Sequence, residues 1–291
     1  MPEHGSQTIR RRRLAAELRR LRERAGLTGD EAADQLGWSA SKISRIETHR
    51  IGVKPADLGR LLDLYHVGND HRAAMEALAR DARTSSRLES AAAAFPPEYA
   101  TYLDAEAEAS SLWIWDPLII PGLLQTDSYA RALMSGYGSM FKLPPSDAER
   151  RVEVRQIRRE QLLNRDPPLV LSAIVDESAL YRKFGDSAIM NEQLERLGEF
   201  SLLPNVTLRI LPLDGDHPIG TGAFSYLQFP QVHEVPLNDL VEVEHLTRSY
   251  YLEDEEHTFK YRVTFEALAE AALGTEQSRT KISTAAQQRW A

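Results

Sequence analysis

The chain has 291 residues, 42% of them hydrophobic and 27% charged, with a formal net charge of -8 and no cysteine. That length has room for a small and a larger domain, with a sizeable core in at least one of them. The composition excludes wholesale disorder and any apolar run of about eighteen residues that would span a membrane. The absence of cysteine removes disulfides, thiolate zinc sites and cysteine nucleophiles from consideration.

Charge is unevenly spread. Residues 1–83 carry 16 Lys and Arg against 12 Asp and Glu, a balance of +4, which leaves the remainder at 19 against 31, or -12. A basic N-terminal part suits a polyanion, and an acidic remainder suits protein or small-ligand contacts. The opening residues MPEHGSQTIRRRR lack the apolar stretch and cleavage site of a secretory signal, so the expected location is the cytoplasm.

From Ile9 onwards apolar residues recur at three- and four-residue spacing, with start and stop signals between runs. Five helices are predicted: 9–25 ended by Gly26, Thr28 to Leu36 ended by Gly37, Ser39 to Thr48, Pro55 to Tyr65, and 70–83. Residues 1–83 are therefore expected to form an all-α domain and 84–97 a linker. Residues 98–291 are expected to form an α+β domain with a mixed or antiparallel sheet and a C-terminal helical tail. Its strands are predicted near 112–117, 169–175, 206–213, 223–229, 240–246 and 249–254, and its helices near 126–137, 146–164, 187–202, 258–273 and from 276. A further helix ahead of them carries Tyr102, Leu103 and Glu106.

The stretch LTGDEAADQLGWSASKISRIE, residues 27–47, has the parts of a helix-turn-helix. Ala33 is small where one helix crosses the other, Gly37 can take positive φ in the turn, and Ala32, Leu36, Trp38, Ile43 and Ile46 are apolar where the helices lock. Residues 10–67 resemble the phage-repressor-like, or Xre-type, helix-turn-helix family. The resemblance implies that the helix starting at Ser39 enters the major groove, with Ala40, Ser41, Lys42, Ser44 and Arg45 facing bases. It also places Thr28, Arg50 and Lys54 against phosphates. Many relatives carry Gln after the cap of the second helix; Gly29 stands there instead, which shifts base readout onto Lys42 and Arg45. Glu47 and Arg22 match a structural ion pair of some relatives, and Trp38 is expected to pack at the turn. The run Arg10, Arg11, Arg12 and Arg13 is expected to act as an arm along the DNA backbone, with the solvated start of the first helix as the alternative.

In the larger part, EAEAS, PGLLQT, YARA, VDESAL, LPNVTLRILP and FSYLQFP resemble a C-terminal domain of unknown function found in WhiJ-like actinobacterial regulators, over about residues 95–275. The pairing of the two resemblances implies a DNA-binding transcriptional regulator, of repressor type, in development or secondary metabolism. It further implies a small partner protein encoded nearby, and the larger domain is expected to bind that partner or a ligand. Because one small domain offers limited contact area, a homodimer on a palindromic double-stranded operator is expected on energetic grounds. The alternatives are an antitoxin-like protein that sequesters a small partner, and a DNA-binding module fused to an enzyme. Nothing in the sequence points to a cofactor or metal: enzyme loop motifs are missing, and the eight histidines include no i, i+4 pair. Asp176 and Glu177 are expected to cap a helix and not to form an acid/base pair, and His217 to sit in a turn with Asp214 and Asp216.

Overall fold

In the computed structural model, residues 9–81, 97–141, 145–231, 235, 237–246 and 248–291 are described. They divide into two units. The first comprises residues up to Glu108 together with Phe229–Asn238, and the second comprises Ala109–Gln228 with Asp239–Ala291.

The first unit opens with five helices: α1 (Ile9–Arg24), α2 (Gly29–Leu36), α3 (Ala40–Glu47), α4 (Pro55–Leu64) and α5 (Asn69–Asp81). Their ends follow from local chemistry. Thr28 and Glu31 close a reciprocal capping box at the start of α2, the Ser39 hydroxyl accepts from the Lys42 N–H at the start of α3, and Pro55 opens α4. Gly37 ends α2 with φ 65°, a left-handed turn that a residue with a Cβ adopts only under strain. Leu14, Leu18, Ala33, Ile43, Leu58 and Leu62 then bury one common core, and each fully buried large aliphatic residue contributes about 2 kcal/mol.

Two pieces beyond residue 83 also belong to this unit. One is α6 (Pro97–Glu108), tied to α1 where the Arg10 Nε donates to Glu108 at 2.9 Å. The other is the connection from Phe229 to Asn238, which places Val235, fully buried, in the same core as Leu14 and Ile43. The boundary expected after residue 83 is therefore corrected: helix 97–108 goes with the helical unit, because its partners are distant in sequence and invisible to periodicity. The expected linker 84–97 lies, but for Pro97, outside the described residues.

The second unit is built on a six-stranded mixed sheet of β1 (Ser111–Asp116), β2 (Val170–Asp176), β3 (Val206–Leu211), β4 (Phe224–Gln228), β5 (Leu240–His245) and β6 (Arg248–Leu252). Its order is β3-β2-β1-β4-β5-β6. The first three strands are parallel, Ser111 beside Val170 and Leu171 beside Val206, and the last three run antiparallel, with Trp113 beside Tyr226 and Tyr226 beside Val241. The parallel half needs crossovers, supplied by α7 (Asp127–Phe141) with α8 (Pro145–Asn164), and by α9 (Ser187–Phe200). After β6 come α10 (Glu255–Ala271) and α11 (Thr275–Ala285), and the Trp290 indole donates to the Leu180 carbonyl at 2.8 Å.

One sheet face is aromatic. Trp113 stacks on Tyr226 and on Phe265 of α10, and Phe224 meets Tyr261 edge to face at 5.0 Å. At the β3 edge the Ile210 N–H donates to Ser278 Oγ and the Ile210 carbonyl accepts from the Leu273 N–H, so the open hydrogen-bonding groups of that residue are used. All six expected strands and the mixed sheet are present.

Candidate nucleic-acid interface

Helix α3 is two turns long and sharply two-faced. Ile43 and Ile46 point into the core, while Ala40, Ser41, Ser44 and Arg45 are exposed. The Arg45 Nε donates back to the Ser41 carbonyl at 3.1 Å, which lays the guanidinium along the outer face of the helix. Ser39 is exposed and committed to its cap, and Arg50 and Lys54 are exposed on the connection to α4. Thr28 is exposed at the start of α2, with its hydroxyl engaged by Glu31; what it can offer an anion is the positive end of that helix.

The helix is fixed from behind. Glu47, its last residue, receives both Arg22 Nε and Arg22 Nη2, at 2.7 and 2.8 Å, while Arg22 Nη1 donates to the Leu27 carbonyl. The two side chains are only 11% and 9% exposed, and the Glu47 carboxylate raises the Arg22 pKa. The structural role expected for this pair is present.

Lys42 is placed differently from its neighbours. Its ammonium lies 3.0 Å from an Asp57 carboxylate oxygen at the start of α4, and 3.5 Å from the centre of the Trp38 ring. The Arg60 guanidinium approaches the same ring to 5.2 Å and donates to the Leu36 carbonyl at the end of α2. Trp38 thus packs at the turn as expected, and also carries a cation. Sequence reading missed Asp57 and Arg60 because α4 reaches α3 only in three dimensions; the four-residue spacing of Trp38 and Lys42 was a visible signal.

The arginine run departs from the arm reading. Arg10, Arg11, Arg12 and Arg13 form the first turn of α1, and at about 100° per residue four successive side chains cannot share one face. Arg13 turns inward and is 2% exposed, with Nη2 donating to the Pro230 carbonyl at 2.9 Å. Burial lowers its pKa against the opposing pull of Glu108. Arg10 is held by Glu108, and Arg11 lines a small pocket of about 80 Å³ with Leu14, Ile46, Ile51 and Val53. Arg13 is therefore a core residue of the helical unit and leaves the set of surface cations.

In the second unit the polar groups singled out from the sequence meet structural partners. Asp176 accepts from the Ser178 N–H at 2.9 Å as a cap, and Glu177 accepts from the Leu213 N–H and pairs with Lys281 at 2.8 Å. His217 donates to the Pro212 carbonyl at 3.0 Å. Asp116, whose pKa burial raises, accepts from the N–H groups of Leu118 and Ile119. Among the described residues, no three His, Cys, Asp or Glu side chains converge as metal ligands, and no helix is long and apolar enough to cross a membrane.

Residues 99–284 match the family model of the domain of unknown function DUF5753. The chain belongs to the DUF5753 family. Residues 13–75 match the model of a helix-turn-helix domain, the architecture that carries DNA-binding regulators. No curated protein and no solved structure matches the chain. The DUF5753 match begins inside α6 and spans residues 229–238, so two parts of the family segment lie in the helical unit. The helix-turn-helix match covers α2, α3 and every exposed candidate from Thr28 to Lys54.

Proposed function

We propose that this protein is a sequence-specific transcriptional regulator of repressor type, in which α3 enters the major groove of double-stranded DNA. The observation that carries this reading is the outer face of α3, with Ser41, Ser44 and Arg45 exposed on a helix held from behind by Arg22 and Glu47. Short polar side chains and one guanidinium match the donors and acceptors of base edges, and the N-terminus of α2 and the loop cations Arg50 and Lys54 suit phosphates. One such unit covers little DNA, so two copies on half-sites about 34 Å apart, a palindromic operator, supply the affinity. On this reading the protein is a cytoplasmic homodimer whose DUF5753 segment supports dimerisation and takes a ligand or small partner protein. The engagement of Asp176, Glu177 and His217 in caps and turns supports a binding role over a catalytic one.

Selection of bound genomic fragments, starting with the promoter of the protein's own gene, tests the proposal. Lys42→Ala with Arg45→Ala is expected to abolish the specific footprint while leaving the unfolding midpoint close to wild type. An unchanged footprint removes α3 from base reading.

A second reading, in which the larger unit sequesters a small protein and DNA binding autoregulates the pair, draws support from Phe259 and Val263. These are one turn apart on α10 and 53% and 43% exposed. Co-purification of a stoichiometric small protein from the native host favours it.

A further inference from the structure

We propose that Asp57 and Trp38 are positioning residues that keep Lys42 from acting as a general phosphate-binding cation and present it to one kind of base edge, the paired acceptors of guanine. The inference rests on the DNA-binding reading above.

Lys42 is the second base-facing cation of α3, yet it is the one the fold restrains. Its side chain is 28% exposed and that of Asp57 22%, so the pair lies at the surface and not beneath it. Behind the ammonium stands the Trp38 ring, itself steadied by Arg60, which is anchored to the Leu36 carbonyl. Arg45, three residues along the same helix, is exposed and, among the described residues, makes only a backbone contact.

An ammonium has three donors. With one directed at Asp57 and the ring face beneath it, the ammonium and its carboxylate together carry no net charge toward a phosphate, but the ammonium retains directional donors. Phosphate attraction depends on net charge and releases counterions, whereas a guanine edge, with O6 and N7 side by side in the major groove, asks for donors in fixed places. For a phosphate to gain the full charge of Lys42, the ammonium has to leave Asp57 and expose a bare carboxylate to the polyanion. For guanine it need not leave. The same arrangement lowers the entropy lost when the long side chain is fixed on the base, because the ring and carboxylate have already fixed it.

The test compares the full-length wild type with Asp57→Asn on two duplexes over a salt series. One is a duplex recovered by selection from random-sequence DNA, the other a scrambled duplex of the same composition. The pair is partly solvated and Asn keeps the size and hydrogen-bonding capacity of Asp, so Asp57→Asn is expected to fold with a near wild-type unfolding midpoint. On the scrambled duplex its affinity is expected to rise and its slope of log K against log salt to steepen by about 0.9, the signature of one more neutralised phosphate. The ratio of selected to scrambled affinity is expected to fall by about fivefold or more, within the range one base contact supports. Asp57→Glu, which keeps a carboxylate, is expected to restore the wild-type slope.

An unchanged slope on the scrambled duplex overturns the proposal, as does an equal loss on both duplexes, which would make Asp57 a staple between helices. A steeper slope with an unchanged ratio removes the role in discrimination. Failure of the wild type itself to distinguish the two duplexes sinks the DNA-reading function, and this inference with it.

Discussion

Arg22 and Glu47 lie 25 residues apart in sequence and share two parallel hydrogen bonds that fix the back of α3. Removing either partner leaves a largely buried charge without its counterion. Glu47→Ala is accordingly expected to cost about 3 kcal/mol, read as a lower urea midpoint at unchanged denaturant dependence. Glu31 tests the cap of α2. The Thr28 N–H, then the Thr28 hydroxyl, hold its carboxyl below the ordinary carboxylate range. Because the folded value is the lower one, the contribution of this group is present above the ordinary range and is lost as pH falls through the folded value. A carbon-detected titration of Glu31 is expected to show a midpoint below the ordinary carboxylate value, moving partway back up in Thr28→Val, which keeps the N–H and loses the hydroxyl. At this scale the sequence was legible wherever spacing is local. Thr28 before α2 and Ser39 before α3 could be read directly. The Arg22–Glu47 pair was readable only through family resemblance, and the hold of Asp57 on Lys42 was not readable at all.

Helices and strands were largely legible because their periods are written in neighbouring residues. The alternation in VTLRIL and the three- and four-residue spacing from Ile9 gave β3 and α1 close to their observed bounds. Strand order was not legible: β1 pairs with β4 more than a hundred residues later, and Trp113 stacks on Tyr226 across that pair, a contact no local pattern records. The turn between α2 and α3 gives a clean test of element geometry. A Cβ added at Gly37 meets nothing within 4 Å, so any penalty there comes from the positive φ alone. Gly37→Ala is expected to lower stability by about 1 kcal/mol, with Asn, which tolerates the left-handed region, costing less; both are measurable as shifts in the denaturation midpoint. The basic run at the start of α1 yields a further expectation now that Arg13 is seen inside. Arg13→Ala is expected to destabilise the helical unit while leaving the salt dependence of DNA binding unchanged, whereas substitution of a phosphate-contacting cation reduces that dependence.

At the scale of the whole molecule the helical unit is not a contiguous stretch of chain. Its core includes Val235, and Pro230 accepts from buried Arg13, both carried on the connection between β4 and β5. Val235→Ala is expected to cost about 2 kcal/mol, from two lost methyl groups and the cavity they leave, and to lower the urea midpoint for the helical unit. An excised fragment of residues 1–83 is expected to unfold at a lower midpoint than the same helices in the full chain, followed by circular dichroism. The all-α and α+β halves were legible from periodicity, but this exchange of segments was not, because residues 229–238 show neither a helical nor a strand period that would flag their destination.

The excursion between β4 and β5 also bears on how such chains can be assembled by recombination. A crossover in the segment after residue 81 would bring in a foreign reading head while α6 and Val235 stayed behind with the recipient, shaped for a core that was no longer there. Only heads with a matching gap for that valine, and a matching arginine for the carbonyl of residue 230, would be accepted. The combinatorial freedom of this architecture is thus narrower than two side-by-side family matches suggest, and the connection from Phe229 to Asn238 acts as a compatibility key between the part that meets DNA and the part that travels with it.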